Sequence, residues 1–100
     1  MYSLITCIVE RGKAEGILQE ALKKGAPGAT YFDAKGKGVR EKMGLAGMFI
    51  KEDKEVLLIV VKDGQVDDIF DTIVNVGGLG EKGKGFAYVH PVDKTVGFVD

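Results

Sequence analysis

The second half of this chain repeats the first at a constant shift of 52 residues, and that repeat narrows the possible folds more than any other feature. Leu4-Ile5-Thr6-Cys7-Ile8-Val9 is short, apolar and β-branched, as a strand is, and Glu10-Arg11-Gly12 turns the chain. Ala14, Ile17, Leu18, Ala21 and Leu22 then recur at the spacing of an amphipathic helix lying between Lys13 and Lys24. Lys23 and Lys24 complement the negative end of its dipole, and Gly25 supplies the left-handed residue that ends it. A turn at Ala26-Pro27-Gly28 leads into a second strand, Ala29 to Lys35. The same order returns with a strand from Val56 to Val61, a turn at Lys62-Asp63-Gly64, and helical spacing of Val66, Ile69, Phe70, Ile73 and Val74. Gly77-Gly78 stops that helix, and Phe86 to Val92 forms the fourth strand. Val9 matches Val61, Gly12 matches Gly64, Ile17 matches Ile69, Leu18 matches Phe70, Gly25 matches Gly77 and Gly28 matches Gly80.

A duplicated β-α-β unit predicts an α+β, ferredoxin-like double βαβ sandwich, with two helices on one face of an antiparallel sheet. At 100 residues this is one domain, 1–100, with a regulatory loop at about 37–54. Thr95 to Val99 is expected to add a short last strand. The run Val56-Leu57-Leu58-Ile59-Val60-Val61 is apolar on both parities, whereas two helices cover one sheet face only. The other face is either covered by further copies in a closed ring or left as a partly exposed central strand. That six-residue run is also the longest apolar stretch, far short of the roughly 18–20 residues of a membrane helix. No basic, cleavable leader opens the chain, and its single cysteine forms no internal disulfide, so a cytoplasmic protein is expected. A formal net charge of −1 gives no reason to expect nucleic acid or membrane-surface binding.

Catalytic constellations are nearly absent. His90 is the only histidine and has no base–nucleophile neighbour, which fits a surface or interface position. Cys7 sits mid-strand as inert packing, and Asp67, Asp68 and Asp71 fit a solvated, helix-capping face. Gly78-Leu79-Gly80-Glu81-Lys82-Gly83 matches a dinucleotide fingerprint in letters only, because it follows a helix and precedes a strand. Its Walker A likeness fails as well, since Gly85 stands where a Ser or Thr must hold magnesium. What remains are two turns, Gly36-Lys37-Gly38 and Gly83-Lys84-Gly85, with Lys37, Arg40 and Lys42 around the first and Lys82 and Lys84 in the second. Alternating glycine and lysine suits an anion-binding nest of backbone N–H groups, and equally suits two solvated turns. Val39 to Asp53, apolar at Met43, Leu45, Met48, Phe49 and Ile50, reads as a mobile loop that docks on something. The alternative is a third strand begun early, at Phe49 and Ile50.

Taken in order, these residues resemble the PII-type signal transduction proteins. The likeness covers nearly the whole chain and is best from Ile5 to Gly38, through Lys13, Glu20-Ala21-Leu22, Gly25, Gly28, Thr30 and Lys35-Gly36-Lys37-Gly38. The second half adds Val60-Val61, Asp63, Asp67 and the helix through Val74, then Gly80, Gly83, Gly85 and Tyr88-Val89. The resemblance implies a homotrimer that binds an adenine nucleotide (ADP, AMP or ATP) or another small anion between subunits as a regulatory ligand. No tightly bound cofactor and no enzymatic activity are implied. The loop would regulate a partner protein, an enzyme or a transporter. The implied nucleotide- or anion-binding residues are Ile8, Thr30, Gly36, Gly38, Val60, Gly83 and Gly85, with Lys37, Arg40 and Lys84 supplying charge.

The departures bear on the ligand. The family's Arg-Gln after the second loop-base glycine is Val39-Arg40, and the acidic residue between the later glycines is Lys84. The lysine that follows them is Phe86, and the basic pair on the last strand is Gly97-Phe98-Val99. The loop contains no tyrosine to be uridylylated. Each lost charge-assisted contact is worth roughly 1.5–3 kcal/mol, so ADP, AMP or a small anion is expected ahead of Mg-ATP with 2-oxoglutarate. The alternative class is a CutA-like trimeric metal-tolerance protein, for which one histidine and one cysteine are meagre ligands. An acylphosphatase-like enzyme lacks its phosphate loop after the first strand.

Overall fold

The structure, a computed structural model, describes residues 1–36, 52–81 and 83–97. Its elements run β1 (Tyr2–Glu10), α1 (Ala14–Lys23), β2 (Gly28–Lys35), β3 (Asp53–Lys62), α2 (Val66–Gly77) and β4 (Gly85–Val92). A single 3-10 turn, Asp63–Gln65, leads into α2. The four strands form one antiparallel sheet in the order β2-β3-β1-β4, the double βαβ architecture that the repeat predicts.

Side-chain alternation divides the sheet cleanly. Ile5, Cys7 and Val9 of β1 and Leu57, Ile59 and Val61 of β3 are fully buried beneath the helices, against Ala14, Ile17 and Ala21 of α1 and Ile69 and Ile73 of α2. These are the helix positions that the 3.6-residue period selects. Cys7 lies within this core, and burial pushes its thiol up to about 11. It is a small apolar group there. Asp67, Asp68 and Asp71 stay exposed on α2, as does His90 on β4.

The repeat holds in the core and drifts in the loops. Val9 and Val61, and Ile17 and Ile69, are buried equivalents, while Leu18 and Phe70 both pack half-buried on the core. The helix caps differ by one residue, because Gly25 (φ 97°) ends the first helix region and Gly78 (φ 63°) caps the second, with Gly77 still helical. The chain then takes a longer path to β4 than to β2, so Gly28 begins a strand while Gly80 lies before one. The expected fifth strand is corrected within the described residues: 93–97 contain none, and Gly97 adopts a φ of 79°, which extended backbone excludes. The third strand begins at Asp53, three residues earlier than its apolar run. Phe49 and Ile50, and most of the loop expected at about 37–54, lie outside the described residues.

Candidate functional site

The strand register arranges the helix-free face of the sheet in transverse rows. Phe32, Val56, Ile8 and Phe86 form one row from edge to edge. Thr30, Leu58, Thr6 and Tyr88 form the next, and Gly28, Val60, Leu4 and His90 the third. Ile8, Thr30 and Val60 therefore share one face, each in a different row. The apolar members of β3 on this face, Val56, Leu58 and Val60, are only half-buried, because no helix covers them. This explains why β3 is apolar on both parities. The β4 residues are more open: Phe86, Tyr88 and His90 stack along the strand, with centroids 6.0 and 6.5 Å apart.

Both glycine-rich turns lie at one end of the sheet, and their described amides are used within the chain. The Gly36 N–H donates to the Glu52 carbonyl at 2.9 Å, extending the β2–β3 ladder by one residue. The Lys84 N–H donates to the Glu81 carbonyl at 3.4 Å and closes a turn. The expected nest therefore lacks these two donors, and the Lys84 side chain is left as the turn's described positive charge. Gly85 has a separate role. It opens β4 at φ 128°, and a Cβ placed on it collides with the Ile8 carbonyl, so only glycine lets β4 lie this close to β1. Gly83, at φ 77°, also takes a backbone conformation that favours glycine. Lys37, Gly38, Arg40, Lys42 and Lys82 lie outside the described residues.

A charged cluster absent from the sequence expectations flanks the loop base. An open cavity of about 340 Å³ is lined by Arg11, Asp33, Ala34, Lys35, Asp53 and Lys54. Lys35 Nζ lies 2.8 Å from Asp53 Oδ1, and Arg11 Nη1 lies 3.8 Å from Asp53 Oδ2. The hydrogen bond from Lys35, then its charge, holds the Asp53 carboxyl below the usual range, with Arg11 adding to the effect. Asp53 raises Lys35 in return. Lys35 and Asp53 are register partners that bracket the loop, so opposite charges at the two loop ends were the signal in the sequence.

Gly36 stands on the β2 edge and Gly85 on the β4 edge of this same sheet end. Three inter-strand steps separate those edges, roughly 14 Å. Within one chain the two turns do not meet. Among the described residues no group of three or more His, Cys, Asp or Glu gathers to hold a metal ion.

A ferredoxin-like double βαβ sheet with a long β2–β3 connection and a glycine-rich turn before β4 is a frame used by small regulatory proteins. The family model "Nitrogen regulatory protein P-II" matches residues 2–98, and the chain belongs to that family. It is 28% identical over 93 residues to a "Nitrogen fixation nifHD region GlnB-like protein 1" of Methanothermococcus thermolithotrophicus, covering 92% of this chain and 89% of that relative. It is 32% identical over 100 residues to a "Nitrogen regulatory protein P-II homolog" of Arabidopsis thaliana, covering 92% of this chain and 50% of that protein.

Proposed function

We propose that this chain is a signalling protein that binds an adenine nucleotide or another small anion between the subunits of a homotrimer. It regulates a partner protein, an enzyme or a transporter, through the segment that joins β2 to β3. It acts in the cytoplasm and catalyses no reaction of its own. The observation that carries this reading is the placement of the two glycine-lysine turns at one sheet end but on opposite edges. A head-to-tail ring closes that gap by setting the β4 edge of one copy beside the β2 edge of the next. The same ring covers the apolar rows of the open sheet face, which is worth roughly 25 cal/mol per Å² of apolar area.

The loop-base cavity supports an anionic ligand, because Arg11, Lys35 and Lys54 contribute three cations against Asp33 and Asp53. Lys84 of a neighbouring copy adds a fourth. The departures at Val39-Arg40, Phe86 and Gly97 favour ADP, AMP or a small anion over Mg-ATP. The relatives' names place them in nitrogen regulation and nitrogen fixation, which supports the same physiological sphere here. No helix among the described residues is long and apolar enough to cross a membrane.

Native mass spectrometry and titration calorimetry with AMP, ADP, ATP and bicarbonate test the proposal together. The expected result is a particle of three chains that binds at least one of these ligands, with affinity about tenfold weaker in Lys84→Ala. A monomer that gives no heat with any of them overturns it.

A further inference from the structure

We propose that Phe86 and Phe32 form the two walls of a slot that takes the planar ring of a nucleoside monophosphate. This rests on the intersubunit cleft proposed above and names the ligand class that the cleft selects. The two rings end one transverse row of the open sheet face, Phe32 at the β2 edge and Phe86 at the β4 edge. They are 48% and 55% exposed, large apolar rings left in solvent at the edges of a folded sheet. Because they belong to the same row, a head-to-tail ring brings Phe86 of one copy to the level of Phe32 of the next.

Phe86 is held in place from two sides. Gly85 fixes the start of β4 against the Ile8 carbonyl, and the Tyr88 ring stacks beside Phe86 at 6.0 Å with 22° between the planes. A preorganised ring loses little freedom when a second ring stacks on it. Lys84, two residues before Phe86, places a cation next to this apolar wall. The matching ligand carries an anion at one end and a flat ring at the other. Further phosphates gain little here, because past Lys84 the β4 wall is aromatic and an aromatic face carries negative charge density. A single phosphate next to a purine fits both halves.

Calorimetry on the assembled protein with AMP and with ribose 5-phosphate, which lacks the ring, separates the two contributions. The wild type is expected to bind AMP at least about tenfold more tightly than ribose 5-phosphate, the scale of one base–aromatic stack. Phe86→Leu and Phe32→Leu are each expected to remove most of that preference while leaving ribose 5-phosphate affinity unchanged. Proton NMR of AMP bound to the wild type is expected to show upfield ring-current shifts of the base protons, a readout that needs no variant. If AMP binds without those shifts, or binds Phe86→Leu as well as the wild type, the slot is wrong and the intersubunit cleft stands. If neither probe binds and ADP does, the cleft again stands and the monophosphate assignment falls. If no nucleotide or anion binds at all, the slot falls together with the cleft.

Discussion

Two glycines show how differently one residue type serves this fold. Gly85 combines a left-handed φ with direct contact between β4 and the β1 backbone, so Gly85→Ala incurs both strain and a collision. We expect it to destabilise the protein by about 2–4 kcal/mol, read as a lower urea midpoint. Gly16 lies inside α1 with open space where a Cβ would go and no positive φ. Gly16→Ala is expected to raise stability by about 0.5–1 kcal/mol, because alanine loses less backbone entropy in a helix. The sequence shows both glycines alike. A glycine's role depends on which atoms stand opposite it, and for Gly85 these are more than seventy residues away in the chain.

Among the elements, α1 has an unusual start. Its N-cap residue, Lys13, makes no side-chain cap, and the Ala14 N–H instead donates to Glu55 Oε1 at 2.9 Å. Glu55 is a buried carboxylate of β3, placed at the positive end of the helix dipole. Glu55→Ala is expected to cost about 1–2 kcal/mol in thermal or urea unfolding, the range of a lost helix cap. The Lys35–Asp53 pair joins the last residue of β2 to the first of β3 and so closes the base of the connecting segment. Asp53 titrates lower in the folded protein, so its contribution is complete above the unfolded carboxyl pKa, ~4, and fades as pH falls through the folded value. Lys35 titrates higher, so its contribution is complete below its unfolded pKa, ~10.4, and fades as pH rises through the folded one. Asp53→Asn is therefore expected to lower the urea midpoint slightly at pH 7 and to match the wild type near pH 2. Both groups are exposed, so the effect is small and salt-sensitive.

For the whole molecule, the question is what covers the open sheet face. Leu58 lies in the middle row, half-buried between Thr30 of β2 and Thr6 of β1. In the proposed trimer it faces the assembly interior, and Leu58→Glu places a charge there. Analytical ultracentrifugation is expected to show the wild type at three times the 10.7 kDa chain mass and the variant shifted to monomer. Helical circular dichroism is expected to persist in that variant, because the helices pack on the opposite face. A wild type that sediments as a monomer contradicts this.

From the sequence alone came the strand–helix order, the helix faces, the buried thiol and the family, because each depends on local period or on residues close in the chain. Val56 to Val61 even announced that its sheet had two apolar faces. The tertiary structure alone decided that the Gly36 and Lys84 amides serve the chain itself, that Glu55 caps a helix from another strand, and that Phe32 and Phe86 share a row. It also set the two turns on opposite edges of the sheet. Each of these facts depends on inter-strand register and order, which long-range packing chooses and which residue spacing along the chain does not encode.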